Sequence, residues 1–263
     1  MTRSDFDPRP CADWIVARRH AGTAIAALPA DLKPRTEDEG YAVQALVRDG
    51  LSARGPSIGW KVGATTPAMQ GLLNVPAPCA GEMHAAGRHD RHARLAAASF
   101  TRVGIECEIA AELATPLGGA GKVDLAQARA AVRNLHAAAE IVDDRYGDFR
   151  HFGVPSLIAD FFFHAGVVLG PPVAAWRDID LERVEGTTAV DGEVKLRGRG
   201  ADVLGNPLAS LVWLANRLTA LGRRLEAGQI VMLGSLPLPY WAKAGDRVTV
   251  TLNGLGAVTI DLD

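Results

Sequence analysis

The sequence predicts an α+β fold in which helices are interleaved with a chain that is mostly strand in its second half. Two segments combine a helix-start signal with apolar residues at helical spacing, and several others alternate or run apolar over the length of a strand. There is no strand–helix–strand repeat, which argues against a doubly wound parallel sheet.

Length and composition set the class of protein. With 263 residues and 48% hydrophobic content, the chain can bury a large core. A net charge of −2 argues against a basic surface that would bind nucleic acid or an anionic membrane. The three cysteines make no disulfide framework, and no apolar run reaches the ~18 residues of a membrane helix. The polar N-terminal stretch is not typical of a signal peptide, so we predict a cytoplasmic protein.

The N-terminal part is predicted to be mainly helical. A first helix is predicted over 14–28, and Thr36 with Glu39 forms a capping box that opens a second one. We predict an N-terminal helical part over 1–75 and a catalytic core over 76–263, joined as one continuous structural unit. The two helices suit a cap or a contact between subunits.

A short apolar strand predicted over Ser57–Gly63 carries a single charge, Lys61. A lysine near a strand end usually extends its amine to solvent. The large neighbour Trp60 and the flanking glycines, which let a ligand or backbone approach, favour a lysine that faces a site. The residues alone leave both interpretations open.

Two glutamates, Glu106 and Glu108, interrupt an apolar strand predicted over Val103–Leu113. Side chains two residues apart share a face of a strand, roughly 6–7 Å from each other. Like charges in an apolar setting need compensation, and carboxylate oxygens suit Mg²⁺, Mn²⁺ or Ca²⁺ better than zinc. Cys107, between them, points to the opposite face and into the core. The alternative is a strand with one solvated face.

The next segments add further candidates. A helix is predicted over 125–139, and Glu140 follows at the entrance to a buried strand, as a third candidate acid. Asp160 and His164 lie in an otherwise apolar stretch, on either side of Phe161-Phe162-Phe163. An aromatic run is most often core, although it can also form the wall of a pocket.

Turn signals set the remaining boundaries. Residues 65–94 are predicted as loop, because they are rich in proline, glycine, histidine and alanine. Asp191-Gly192 predicts a hairpin over 187–196, and Asn206-Pro207 starts a helix that Gly222 stops. The C-terminal strands are predicted over 229–233, 247–252 and 257–262.

Several stretches occur together in an order that matches one family over nearly the whole chain. They are Glu39-Gly40-Tyr41-Ala42-Val43-Gln44, Gly59-Trp60-Lys61-Val62-Gly63, Gly104-Ile105-Glu106-Cys107-Glu108-Ile109, Glu140-Ile141-Val142-Asp143, Ile158-Ala159-Asp160, Val203-Leu204-Gly205-Asn206-Pro207, Val212-Trp213-Leu214-Ala215-Asn216, Gly234-Ser235-Leu236 and Lys243-Ala244-Gly245-Asp246. The chain resembles the 2-keto-4-pentenoate and 2-oxohept-4-ene-dioate hydratases, with the 4-oxalocrotonate decarboxylases as close relatives, all of the fumarylacetoacetate hydrolase superfamily. The resemblance implies a central mixed β-roll with an N-terminal helical part.

The resemblance also implies a metal site and a substrate pocket. The metal is usually Mg²⁺, with Mn²⁺ as an alternative. Its implied ligands are the three glutamates of this chain, Glu106, Glu108 and Glu140. Lys61 is implied as the catalytic residue and Ser235 as a pocket residue. We also predict that Asp160 and His164 contact the substrate.

The predicted function is that of an Mg²⁺-dependent hydratase in aromatic-compound catabolism. It would add water to a 2-hydroxy-2,4-dienoate of the 2-keto-4-pentenoate type and give a 4-hydroxy-2-oxo acid. A 2-oxo acid can chelate the metal, which acts as a Lewis acid, and Lys61 can move a proton. The predicted partners are this small acid and further copies of the chain, a homo-oligomer, with neither nucleic acid nor membrane.

One departure from the family keeps other functions open. Phe161-Phe162-Phe163-His164 stands where the resembling enzymes carry asparagine and small residues. The first alternative is a 2-oxo-dioate decarboxylase of the 4-oxalocrotonate type, or an acylpyruvate C–C hydrolase. The second is a non-catalytic assembly partner whose pocket has been lost.

Overall fold

The structure of the chain, a computed structural model, describes residues 6–25 and 27–263. Ala26 and the first five residues, which belong to the predicted 1–75 part, lie outside the described residues. The α-helices of the described part are α1 (Arg9–His20), α2 (Glu37–Gly50), α3 (Pro67–Leu73), α4 (Leu125–Ala131), α5 (Phe149–Phe152), α6 (Val154–Ala159) and α7 (Pro207–Ala220). The strands are β1 (Ser57–Gly63), β2 (Cys79–His84), β3 (Arg88–Asp90), β4 (His92–Leu95), β5 (Val103–Leu113), β6 (Leu117–Gly118), β7 (Val132–Asp143), β8 (His164–Leu169), β9 (Glu185–Val190), β10 (Glu193–Arg199), β11 (Arg224–Leu225), β12 (Ile230–Ser235), β13 (Tyr240–Trp241), β14 (Arg247–Leu252) and β15 (Gly256–Leu262).

Two mixed sheets form the centre of the molecule. The larger has eight strands in the order β2-β1-β12-β5-β7-β8-β3, with β13 paired to β5. The smaller has five strands in the order β10-β9-β14-β15-β4. Parallel pairs, β1 with β12 and β4 with β15, occur among antiparallel ones. The α+β fold class is confirmed. The two longest strands, β5 and β7, are neighbours in the larger sheet.

The two faces of β5 have different surroundings. Ile105, Cys107 and Ile109 are fully buried in the main hydrophobic core. A methyl group at Gly186 of β9 would lie 2.8 Å from the Cys107 sulfur, so the smaller sheet packs directly on this face. The prediction that Cys107 points into the core is therefore correct. The glutamates of β5 occupy the opposite face, because side chains alternate along a strand.

The second N-terminal helix begins where it was predicted, whereas the first has other bounds than predicted. The capping box of Thr36 and Glu39 opens α2. The first helix runs over Arg9–His20 instead of 14–28, and Pro10 lies in its first turn, where a residue needs no backbone N–H for the helix. Strand β1, from the 1–75 part, is hydrogen-bonded inside the larger sheet. The division at residue 75 stays a prediction.

Two predicted elements in the middle of the chain were wrong. The helix predicted over 125–139 ends at Ala131, and Val132 begins β7. The alanines of β7, Ala137 to Ala139, are fully buried between layers, so tertiary packing overrides their helix propensity. The predicted loop over 65–94 contains α3, β2 and β3. The hairpin, the helix that starts after Asn206 and the C-terminal strands are confirmed.

Strand β1 lies so close to β12 that one of its residues has to be glycine. Gly59 has φ +140°, and a methyl group there would lie 1.8 Å from the Ile230 carbonyl oxygen. We expect Gly59→Ala to lower the free energy of unfolding by roughly 3 kcal/mol or more. Gly71→Ala, in α3 with nothing within 4 Å, is the control. Equal thermal unfolding of the two variants would contradict this account of the strand pairing.

Within the described part of the chain, no helix combines the length and the apolar character needed to cross a membrane.

Candidate active site

Three glutamates meet on one face of the larger sheet. Glu106 and Glu108 project from the same face of β5, and Glu140 on β7 lies directly opposite Glu106. Ligand oxygens from the three carboxylates lie within 4.8 Å of one another. The residue opposite Glu108 is Ala138, whose small side chain leaves room for the cluster. The structure therefore brings together the three residues predicted as metal ligands.

Two buried oxygens of this cluster have no hydrogen-bond partner among the described residues. They are Oε1 of Glu108 and Oε2 of Glu140. The other oxygen of Glu108, Oε2, accepts a hydrogen bond of 2.8 Å from the backbone N–H of Gly234. A buried carboxylate oxygen without a partner is costly, and hard divalent cations prefer such oxygens. The cluster therefore fits Mg²⁺, Mn²⁺ or Ca²⁺ on its own chemistry.

The carboxyl groups of the cluster differ in their pKa values. Burial, followed by the charge of Glu140, raises the pKa of Glu106 to about 8. Burial and the charges of both neighbours raise the pKa of Glu108 well above its ordinary value. Burial also acts on Glu140, but Lys61 and His164 outweigh it and lower the pKa of that carboxyl. Without a cation, Glu140 is thus the ionised member, and a metal must displace protons from the other two.

Lys61 is buried at this cluster. Its Nζ lies 3.4 Å from Oε1 of Glu140, and its side chain is 2% exposed. The ring of Phe162 covers the amine, with its centroid 4.9 Å from Nζ. Of the two interpretations that the sequence left open, the structure therefore supports the lysine that faces a site.

His164 lies behind Glu140. Its Nδ1 is 2.9 Å from Oε1 of Glu140. Burial lowers the pKa of His164 more than the neighbouring carboxylate raises it, so the ring is neutral and its Nδ1–H donates this bond. A hydrogen-bond donor behind a carboxylate, such as this imidazole, holds that carboxylate in the orientation in which it can bind a metal. The structure places His164 on a metal-ligand candidate. His164 is not among the described residues that line the cavity beside Lys61, and its contact with the substrate stays a prediction.

Asp160 does not line that cavity either. Its buried carboxylate accepts hydrogen bonds from the Tyr146 hydroxyl at 2.9 Å and from the guanidinium groups of Arg19 and Arg145. Two arginines and a tyrosine occupy both carboxylate oxygens, so Asp160 ties α1 to the end of β7. Asp160 is not among the described residues that line the cavity, and its contact with the substrate stays a prediction.

Ser235 lies at the end of β12, next to the glycine that binds Glu108. Its hydroxyl donates a hydrogen bond of 2.8 Å to the carbonyl oxygen of Pro237, and its backbone pairs with Glu108. The side chain is not among those that line the cavity in this structure. Its role as a pocket residue stays a prediction.

A cavity of about 320 Å³ opens beside the cluster. Its charged lining residues are Lys61, Glu106 and Asp144. Its apolar lining residues are Met69, Leu72, Leu73, Val142, Phe149, Phe162, Phe163, Leu196, Leu238, Pro239 and Trp241. This volume suits a small organic acid. The sequence analysis found the aromatic wall but missed the leucines, because nothing in a linear pattern distinguishes them from core residues.

The raised carboxyl pKa values predict how metal binding depends on pH. In the presence of chelator, the pKa of Glu106 is about 8 in the folded protein and 4.5, its ordinary value, in the unfolded chain. The stability that comes from this difference is fully present below pH 4.5 and is lost as the pH rises to about 8. Mg²⁺ replaces the protons, so we expect it to raise the melting temperature by about 5–10 °C at pH 8.5 and much less at pH 5.5.

Thermal unfolding with Mg²⁺ and with chelator, at both pH values, measures this effect. The Glu106→Gln variant, which lacks the titrating group, should have a smaller pH dependence. An equal Mg²⁺ effect at both pH values would contradict the proton displacement.

Comparisons with known proteins agree with this geometry. The family model described as "Fumarylacetoacetate (FAA) hydrolase C-terminal" matches residues 74–262. A 2-keto-4-pentenoate hydratase of Burkholderia vietnamiensis is 37% identical over 83% of both chains. A 4-oxalocrotonate decarboxylase of Pseudomonas putida is 31% identical over 87% of this chain and 86% of its own.

A solved structure is similar over the full length. The 4-oxalocrotonate decarboxylase from Pseudomonas putida G7, complexed with magnesium and adipate, superposes with a TM-score of 0.91 at 28% identity, covering 100% of this chain and 99% of that chain. The family model, the curated relatives and the fold thus point the same way. The chain belongs to the fumarylacetoacetate hydrolase family.

Proposed function

We propose that this chain is a divalent-metal-dependent hydratase of the 2-keto-4-pentenoate type. The observation that carries the proposal is the three-glutamate cluster with unpartnered oxygens, beside buried Lys61, at a cavity sized for a small acid. The names of the similar hydratases support the reaction class. The substrate would be a 2-hydroxy-2,4-dienoate, and the product a 4-hydroxy-2-oxo acid, within aromatic-compound catabolism.

The glutamates Glu106, Glu108 and Glu140 would hold the ion. We propose Mg²⁺ in particular, with Mn²⁺ as an alternative, because the donors are all carboxylate oxygens. When bound, the ion supplies Lewis-acid stabilisation of negative charge on the substrate's 2-oxygen. Gly234 and His164 would keep Glu108 and Glu140 in place by the hydrogen bonds described above.

Lys61 is the proposed proton-transfer residue. In the hydration, the 2-hydroxyl loses a proton and C5 gains one, after which the oxygen of water bonds to C4 and C3 gains a proton. Lys61 lines the cavity, and its Nζ lies 3.4 Å from Oε1 of Glu140 in the cluster. The Phe162 ring over this amine excludes water, which favours transfer to the substrate over transfer to solvent.

A 2-oxo-dioate decarboxylase is the second candidate, favoured by the full-length similarity to the solved decarboxylase. The same head-group chemistry would serve both reactions. The observation against it is the lining of the cavity, where Lys61 is the only lysine or arginine among the described residues and is already paired with Glu140. A dioate would need a second cation for its distal carboxylate.

The product mass separates these functions. The protein with Mg²⁺ would be incubated, in separate samples, with 2-hydroxypenta-2,4-dienoate, with an oxalocrotonate-type dioate and with an acylpyruvate. A product heavier by one water supports the hydratase, and loss of carbon dioxide moves the assignment to a decarboxylase. Cleavage of an acylpyruvate would identify a C–C hydrolase. No turnover of any of these acids, with metal bound, would contradict the enzyme proposal and favour a non-catalytic assembly partner.

Three further properties are proposals that rest on the sequence and the resemblance. They are a homo-oligomeric state, a cytoplasmic location and the division into 1–75 and 76–263. Light scattering coupled to gel filtration would measure the subunit number, and a monomer would contradict the first of them.

A further inference from the structure

We propose that the cavity binds the end of the substrate distal to its 2-oxo acid group as a hydrocarbon tail, and that it selects alkyl- or aryl-substituted monocarboxylates over dicarboxylates. Leu72, Leu238, Phe163 and Trp241 are the specificity-determining residues. The inference rests on the proposed function, because it takes the glutamate cluster and Lys61 as the place where the acid head group lies.

The cavity has a polar part and an apolar part. Lys61 and Glu106 mark the reactive part, where a 2-oxo acid would meet the glutamate cluster. Beyond them, the lining is hydrocarbon or aromatic except for Asp144. A substrate no larger than a five-carbon dienoate would leave much of this surface in contact with water. A longer apolar tail would cover it, and burial of each methylene is favourable.

The charges of the wall act against a second carboxylate. Asp144 is itself an acid, and its Oδ2 lies 3.6 Å from the guanidinium of Arg102. That guanidinium does not line the cavity and lies over the Trp241 ring, 4.0 Å from its centroid. The amine of Lys61 is paired with Glu140. A distal carboxylate would therefore lie against an apolar wall and near another acid, with no unpaired cation among the described lining residues.

Exposed leucines lie at the same cavity. Leu72 is 55% exposed and Leu238 is 51% exposed, which makes them the two most exposed large hydrophobic residues of the described chain. Single exposed leucines need no explanation, but two that line one cavity form a surface that an apolar ligand would cover. The pair faces the substrate cavity and so favours a tail as the occupant.

The aromatic wall is held in an unusual conformation. Phe161, Phe162 and Phe163 all have positive φ, at 60°, 49° and 70°. Left-handed backbone is unfavourable for residues with a side chain, so packing must hold this run in place. The Phe163 ring makes edge contacts with Tyr146, at 5.2 Å between centroids, and with Phe162, at 5.5 Å. The strained run fixes the rings of Phe162 and Phe163 in the cavity wall and so keeps the cavity open.

Saturated 2-oxo acids test this selectivity by binding alone. Dissociation constants for the Mg²⁺-loaded protein would be measured calorimetrically with 2-oxobutanoate, 2-oxohexanoate and 2-oxoadipate. The last two have six carbons each and differ by one distal carboxylate. We expect 2-oxohexanoate to bind about tenfold more tightly than 2-oxobutanoate, at roughly three- to fourfold per methylene, and at least about tenfold more tightly than 2-oxoadipate.

A charge-introducing variant tests the residues. We expect Leu238→Arg to bind 2-oxoadipate more tightly than 2-oxohexanoate, which reverses the preference. Leu125→Arg is the control, because Leu125 is 45% exposed on α4 and does not line the cavity. Equal affinities for the two six-carbon acids, or no reversal in Leu238→Arg, would overturn this inference and leave the proposed function intact. Failure of all three acids to bind the metal-loaded protein would overturn the proposed function, and this inference with it.

Discussion

Glu108→Gln is expected to lose turnover by roughly a thousandfold or more and to bind Mg²⁺ far more weakly than the unchanged protein. Glu108 is fully buried, with one oxygen fixed by the N–H of Gly234 and the other without a partner among the described residues. The amide keeps the size of the side chain but removes the charge that offsets the cation. Turnover of a 2-hydroxydienoate and calorimetric Mg²⁺ binding would measure both effects.

The control for this variant lies on the same strand. Glu112 also belongs to β5, but its carboxylate accepts hydrogen bonds from Arg133 and Asn134 at the edge of the molecule. Glu112→Gln should keep its activity and its affinity for Mg²⁺. If Glu108→Gln stays active, or if both variants lose activity together, then the glutamate cluster is not the metal site.

Lys61→Met is expected to lower kcat by about 10²–10⁴-fold, which is the usual contribution of a positioned proton donor or acceptor. Methionine has a side chain of similar length that can pack beside Phe162, but it has no ionisable group to donate or accept a proton. Glu140 keeps its hydrogen bond from His164, so Mg²⁺ should still bind. Steady-state kinetics together with Mg²⁺ calorimetry separates loss of proton transfer from loss of metal.

An exposed lysine provides the comparison for that variant. Lys195 pairs with Glu193 on a surface strand, and its replacement by methionine should leave kcat unchanged. Full activity in Lys61→Met would exclude Lys61 from the chemistry. Loss of Mg²⁺ in parallel with activity would instead assign Lys61 to support of Glu140.

Local patterns predicted β5 and its two acids correctly, because the alternation of side chains along a strand needs only the strand itself. The position of Glu140 could not be predicted in this way, because its distance from Glu106 depends on the register of β5 with β7. The helix wrongly predicted over 125–139 illustrates the limit. Its alanines favour helix locally, but burial between layers makes a strand of them.

The roles of Asp160 and His164 depended on partners from remote segments. Asp160 is bound by Arg19, from 141 positions earlier in the chain, and His164 by Glu140. A sequence indicates that such groups are polar and flanked by apolar residues, but not which group satisfies them. The same reason explains why Leu238 was missed, because only the folded chain brings it to the cavity.

The position of the metal is the central claim, and anomalous diffraction from crystals soaked in Mn²⁺ tests it most directly. The account predicts one strong anomalous peak bonded to oxygens of Glu106, Glu108 and Glu140, and its absence in crystals of the Glu108→Gln variant. A peak held by other residues, or no peak at these three glutamates at saturating Mn²⁺, would contradict the account.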